Sequence, residues 1–318
     1  SSGIGLATAR MAARRGAKVI VAARNQEAIR RLCDEIRTAG GDARWVNADV
    51  SREEDLGRIA AEAIGHFGRI DSWVNNAGVS IYGKALDISI ADARKLFETN
   101  FWGVVYGSRV AMHHLRQNGG ALINVGSVVS DTAVPLQSYY VASKHALKGF
   151  TDALRMETEN DKIPVSVTTI KPGPIDTPYT QHAKNYLEDE PSHAPPVYDP
   201  DLVADAILHA AEHPVRDLYV GGGAKGMSVL GRFAPRFADK YMEKVLAPKT
   251  HSGRPREARG DALHSHSFGG EQRGNYDGTV RRTSAYTTAA MHPAAASAIG
   301  FGAAFAIGSL LRSRTRVK

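Results

Sequence analysis

Apolar runs and helical stripes alternate along most of the chain. Small and apolar residues recur at helical spacing over 5–15, and Gly16 stops that helix. Residues 18–22 (KVIVA) are a β-branched run that predicts a strand. The same reading predicts helices over 25–39, 52–67, 139–160 and 201–213, and two helices within 90–117. Further strands are predicted over 44–47, 70–75, 121–125, 165–170 and 217–220. They are nearly continuous apolar runs, which calls for a sheet covered on both faces. The alternation specifies an α/β fold: a doubly wound, mainly parallel sheet with helices on both faces, plus a C-terminal helical and irregular tail.

The pattern changes near residue 249. Residues 1–248 read as one α/β body, 249–278 as a low-complexity basic linker with little apolar periodicity, and 279–318 as a helical tail. Charge follows the same division. The chain carries +7, and residues 249–318 hold 11 Lys+Arg against 4 Asp+Glu. The body is therefore neutral, and the basic balance gives no reason to expect nucleic-acid binding. A single cysteine, Cys33, excludes an internal disulfide framework and suits a reducing, cytoplasmic setting. The chain opens on SSGIG, a loop entering a helix, which reads as a domain lacking its N-terminal part.

Chemistry concentrates in 127–144 (SVVSDTAVPLQSYYVASK). Tyr140 and Lys144 are four apart and share one helix face. A tyrosine titrates at about 10, and a neighbouring ammonium favours its phenolate. Ser127 follows the predicted strand 121–125, at the sheet edge where open α/β folds place ligands. Read alone, the pair is also an ordinary helix face. Ser2, Gly3, Ile4 and Gly5 open a helix ahead of a strand, the context of a phosphate-binding turn. That next strand ends at Ala23-Arg24, where a carboxylate would suit unphosphorylated NAD and an arginine suits the extra phosphate of NADP. Arg24 alone also reads as a solvated strand end. Asp49-Val50 and Asn75-Asn76-Ala77-Gly78 close the next two strands on the same edge.

Together these residues resemble the short-chain dehydrogenases/reductases in their short, single-domain form. The matching signals are GIG at 3–5, Asp49, NNAG at 75–78, Asn100, Ser127, YVASK at 140–144 and PGPIDT at 172–177, over about residues 1–225. Tyr139 has Ser143, not lysine, four residues on, which selects Tyr140. The family's first strand and the first glycine of its TGxxxGxG motif are absent. The resemblance implies a Rossmann-type fold and hydride transfer between a nicotinamide cofactor and a small-molecule carbonyl/alcohol substrate, and Ala23-Arg24 makes that cofactor NADP(H) rather than NAD(H). It implies Tyr140 as general acid/base, Lys144 lowering its pKa and holding the nicotinamide ribose, Ser127 on the carbonyl oxygen, and Asn100 holding a water. Ser2, Gly3, Ile4, Gly5, Arg24, Asp49, Val50, Asn76, Ala77 and Gly78 fall on the adenosine and phosphate side. Pro172, Gly173, Ile175 and Thr177 fall at the nicotinamide. A homo-oligomer through the helices carrying Asn100 and Tyr140 is also implied. The alternative reading is a catalytically silent cofactor-binding scaffold or sensor, and an epimerase-like use of the site is disfavoured by the glycine spacing.

Three further expectations follow from the residues. Residues 174–200, with Tyr179, Tyr186, Leu187, Tyr198 and the acidic run 188–190, predict a mobile lid. Val128, Val129, Val134 and Leu136 predict apolar pocket walls and a lipophilic substrate. The His113-His114 and His264/His266 pairs lack companion ligands, so no metal site is expected, and the histidines of 251–266 read as solvated. Residues 294–311 are uncharged and precede Arg312, Arg314, Arg316 and Lys318. They read as a membrane contact on the cytoplasmic face or as a helix packed on the body or a second subunit.

Overall fold

The structure is a computed structural model that describes residues 1–257, 259–294 and 296. The elements follow the predicted alternation: α1 (Gly3–Arg14), β1 (Val19–Ala23), α2 (Gln26–Thr38), β2 (Ala43–Asn47), α3 (Glu53–Phe67) and β3 (Ser72–Asn75). Then come α4 (Ile90–Phe97), α5 (Gly103–Asn118), β4 (Gly120–Val125), α6 (Ser138–Asn160), β5 (Val165–Pro172), α7 (Pro200–Glu212) and β6 (Asp217–Val220). Local chemistry fixes several ends. Asn25 caps α2 by accepting from Ala28 N, Asp199 caps α7 with Pro200 as its first residue, and Gly68 ends α3 at φ 79°.

The strands are parallel, in the order β3–β4–β5–β6, with β1 and β2 as a separate pair. Successive residues of β4 feed opposite faces, as the pleat requires. Ala121, Ile123 and Val125 pack with Val203, Ala206 and Ile207 of α7, whereas Leu122 joins Leu56 and Ile59 of α3 and Leu115 of α5. Between β1 and β3 runs a cleft of about 1000 Å³, bordered by both strands and by α1.

Expectation and structure differ in two places. The pair of helices expected within 90–117 is almost continuous, and a π-helical turn, Glu98–Trp102, joins α4 to α5. The basic stretch expected as a loose arm is instead packed on the body. His251–Pro255 pairs antiparallel with Asp189–Pro191, and Val280–Arg281 pairs parallel with Val197–Tyr198. Leu263 is fully buried among Val79, Ile81, Ile88 and Leu96. The acidic run supplies the dock: Asp189 meets His251, and Glu190 meets Arg259. His264 is exposed, as expected, and pairs with Asp92 at 2.6 Å. A short helix, Ala285–Met291, closes on β6 and α7 through Met291. Beyond Ala294 and Ala296, the uncharged stretch 294–311 lies outside the described residues. Among the described residues no helix is long and apolar enough to cross a membrane.

Candidate active site

The carboxyl edge of the sheet gathers the residues singled out by sequence. Ser127 stands two residues beyond β4 and caps the turn Val128–Ser130, accepting from Val129 N at 3.3 Å while its own N–H donates to Ser130 Oγ at 3.1 Å. This fixes the hydroxyl at the strand end. Tyr140 and Lys144 lie one turn apart on α6, as their spacing requires. The Tyr140 and Tyr179 rings meet edge to face at 5.6 Å, and Ser127, Tyr140 and Tyr179 line one cavity. Lys144 is buried, and its Nζ donates to the Val125 carbonyl at 2.9 Å.

Asn100 needs the π-helical turn. The extra residue in that turn aims its amide inward, where it accepts from Val79 N at 2.8 Å and donates to Val79 O at 2.9 Å. Its amide also reaches Ser143 Oγ at 3.2 Å, and Ser143 in turn bonds the Tyr140 carbonyl. Asn100 thus pins α6 to the loop after β3. A Cβ on Gly78 would stand 3.5 Å from Asn100 Oδ1 and 3.9 Å from Lys144 Nζ.

The electrostatics depart from expectation at one point. Burial raises the Tyr140 pKa, and the neighbouring hydroxyls of Tyr179 and Ser127 pull it down only in part. Lys144 was expected to lower it. In this structure its ammonium faces the Val125 carbonyl, 5.7 Å from the Tyr140 ring centre, and burial lowers its own pKa to about 8.

On the phosphate side, Gly3 has φ +51°, open to glycine and costly for other residues. A Cβ there would lie 3.0 Å from the Thr177 side chain, and one on Gly5 would lie 2.8 Å from Asn76 Nδ2. The turn before α1 therefore meets both the end of β3 and the turn after β5. Ser2, Gly3, Ile4, Gly5, Arg24, Asp49, Val50, Asn76, Ala77, Gly78 and Thr177 all border the large cleft. Pro172, Gly173, Ile175 and Thr177 border a second cavity of about 230 Å³, together with Ser127, Tyr140 and Lys144. The two cavities share Ile4, Asn76, Gly78, Thr177 and Tyr179. Glycines that bring two backbones together at a helix N-terminus fit a dinucleotide's pyrophosphate. Two of these groups are engaged by the arm: Gly3 N donates to Glu271 O at 2.9 Å, and Arg24 donates to Ala262 O at 2.5 Å. The Asp49 carboxylate accepts from Ser51 and shapes the turn into α3.

Sequence reasoning missed the polar set behind Tyr140. The Tyr179 hydroxyl donates to Ser80 Oγ at 2.8 Å and accepts from Gln137 at 2.9 Å. Ser80 and Gln137 carry no motif, and the fold alone brings them to Tyr179. Asn75 also turned out to face inward. It bonds Trp73, Ser108 and Asn124, tying β3, α5 and β4 in the core. Lys171 lies buried between Asp131 and Asp217, each at 3.1 Å. Burial opposes its charge, but the two carboxylates prevail and raise its pKa.

The chain is similar to known proteins along most of its length. The sequence profile described as short chain dehydrogenase matches residues 1–187. The oxidoreductase YxnA of Bacillus subtilis (strain 168), described as uncharacterized, is 50% identical over 306 residues, 95% of this chain and 86% of its own length. An 11-beta-hydroxysteroid dehydrogenase A of Arachis hypogaea is 38% identical over 185 residues, 57% of this chain; the chain spans about half (52%) of that relative's length. A short chain dehydrogenase/reductase from Burkholderia phymatum, solved in complex with NAD, superposes with a TM-score of 0.67 at 25% identity. That match covers 74% of this chain and 91% of the other.

Proposed function

This chain belongs to the short-chain dehydrogenase family and is an oxidoreductase, and from that premise we propose that it moves a hydride between NADP(H) and a lipophilic carbonyl/alcohol pair. The observation that carries the reading is the meeting of Ser127, Tyr140 and Lys144 in the wall of the smaller cavity, which adjoins the larger cleft at Ile4, Asn76, Gly78, Thr177 and Tyr179. When bound, the nicotinamide supplies the hydride. The chain's own residues do the rest. Ser127 and Tyr140 hold the substrate oxygen, and Tyr140 gives it a proton as the C=O bond becomes C–O–H; in oxidation the proton returns. Lys144 contributes positive charge beside that phenol and a donor for the ribose. Asn100 keeps α6 in place, and a water beside its amide would connect Lys144 to solvent.

Burial favours the neutral phenol of Tyr140, which is the form a carbonyl reduction needs. Apolar walls from Val128, Val129, Val134, Met227 and Leu246 favour a lipophilic substrate. The names of the steroid-directed relatives point the same way. Arg24, with no carboxylate at Ala23, favours NADP over NAD. Its guanidinium would exchange the Ala262 carbonyl for a phosphate, as Gly3 N would exchange that of Glu271. Exposed Ile90, Trp102 and Met156 on and between α4, α5 and α6 favour pairing of two copies through those helices.

The test is a nicotinamide absorbance assay over a panel of carbonyl compounds with both cofactors. Tyr140→Phe is expected to cost about 10³-fold or more in turnover and to leave cofactor affinity within a few-fold. Cofactor binding with no turnover of any carbonyl by the wild type would favour the scaffold reading. Substantial turnover by Tyr140→Phe would remove Tyr140 from its role, and a strong preference for NAD would remove Arg24.

A further inference from the structure

Two helices beyond β6 carry an apolar stripe that nothing among the described residues covers. They are α8 (Gly222–Phe233) and α9 (Pro235–Tyr241), continued by a π-helical turn, Met242–Leu246. Val229, Phe233, Phe237, Tyr241 and Val245 fall four residues apart, the spacing that keeps side chains on one helix face. All five are exposed, Phe233 at 78% and Phe237 at 62%. The inner face of the same helices is in use. Ala224, Ala238 and Met242 are buried, and Met227 and Leu246 line the smaller cavity. Large apolar side chains aligned in this way on a surface mark a place of contact.

The charges beside the stripe identify what it contacts. Arg232, Arg236, Lys240 and Lys244 repeat at the same interval, each one residue before an apolar member, and all four are exposed. Residues 222–250 hold six Lys+Arg against two Asp+Glu, in a body that is neutral as a whole. Among the described residues one of the four cations meets a carboxylate, Arg236 at 3.6 Å from Asp239, and its side chain stays 91% exposed. A second copy seated here about a twofold axis would set these cations against their own equivalents, which disfavours it. An anionic lipid surface attracts them instead. It takes the apolar side chains at its acyl boundary and lets the Lys and Arg stems reach the headgroups. An acidic protein would answer the charge, but it would not supply the lipophilic carbonyl proposed for the cavity behind these helices, as a lipid phase does.

We propose that the outer stripe of α8, α9 and the π-helical turn docks on the surface of an anionic lipid bilayer. The helices lie along the interface, with the wall of the smaller cavity on their inner side. The use this gives the surface, holding that cavity beside the phase in which a lipophilic carbonyl dissolves, rests on the lipophilic-substrate reading; the docking itself does not.

The experiment floats the full chain with vesicles of phosphatidylcholine, alone or with about one third phosphatidylserine, in about 0.1 M salt. Wild type is expected to bind the anionic vesicles about tenfold or more tighter than the neutral ones. Changing Arg232, Arg236, Lys240 and Lys244 together to Gln should cost about 100-fold on the anionic vesicles. Phe233→Ser combined with Phe237→Ser should cost about tenfold or more. Raising the salt to about 0.5 M should weaken wild-type binding about tenfold. All six changed side chains are exposed, so a urea midpoint near that of wild type is expected for both variants. Should the Phe pair fail to fold, the Gln variant and the salt titration still decide. Equal binding to the two vesicle types would overturn the assignment. So would binding that neither variant alters, which would place the contact elsewhere on the chain. A wild type that leaves both vesicles alone overturns it too, and self-association abolished by the Phe pair would then make this face an interface between copies. Flotation reads no turnover, so its failure leaves the oxidoreductase reading where it stands.

Discussion

Tyr140 and Lys144 titrate in ways that a spacing argument does not foresee. The spacing placed them on one helix face, and the structure agrees. Their pKa values depend on what surrounds them, and burial by segments remote in sequence dominates both. The consequence is a pH dependence with a definite sign. Lys144, lowered to about 8, is charged below that pH and neutral above it. Tyr140, raised from its usual value, stays protonated through this range. Carbonyl reduction should therefore be flat up to about pH 8 and fall above it as the charge beside the phenol disappears. Lys144→Arg keeps its charge and should flatten that limb even where the absolute rate drops. A falling limb unchanged in Lys144→Arg would assign it to another group. Ser127, Tyr140, Lys144 and Asn100 were legible because each lies in a short motif. Ser80 and Gln137 were not, because their partners come from segments far away in the chain and nothing local marks them.

At the scale of elements, strands and helices were legible wherever apolar periodicity was sustained. The arm was not, because one buried apolar anchor, Leu263, scattered ion pairs and short backbone pairings hold it, and none of these leaves a periodic trace. The π-helical turn escaped for a similar reason: one extra residue in a helical run does not alter its apolar stripe. Close packing of α5 on the sheet was also invisible. Gly107 allows it, since a Cβ there would lie 2.1 Å from Asn75 Oδ1 and 3.1 Å from Trp73 Nε1. Gly107→Ala should displace Asn75 from its buried bonds and cost about 1–3 kcal/mol by overpacking. Urea unfolding would read this as a lower midpoint at unchanged slope. An unchanged midpoint would mean that α5 shifts outward at no cost.

For the molecule as a whole, the arm covers the turn before α1 and Arg24 without belonging to the main sheet. Its carbonyls occupy Gly3 N and Arg24, and its backbone meets Asp176 at Gly274, where N donates to Oδ1 at 3.1 Å. Such a cover opens by local unfolding at lower free energy than the sheet beneath it. Hydrogen exchange should therefore find the amides of 262–274 less protected than those of β4 and β5. Saturating NADP should change exchange within 262–272 as phosphate replaces the two carbonyls. Unaltered exchange there, with binding verified in the same sample, would show that the dinucleotide does not engage these groups.

The Gly3–Glu271 bond also has a meaning in time. It joins the third residue of this chain to the 271st, so ribosomal synthesis delivers its halves far apart. All six sheet strands are complete by Val220, and the carbonyl that covers the phosphate turn comes some fifty residues later. At about 5–20 residues per second, that leaves an interval on the order of seconds. During it the nascent body presents Gly3 and Arg24 with nothing across them.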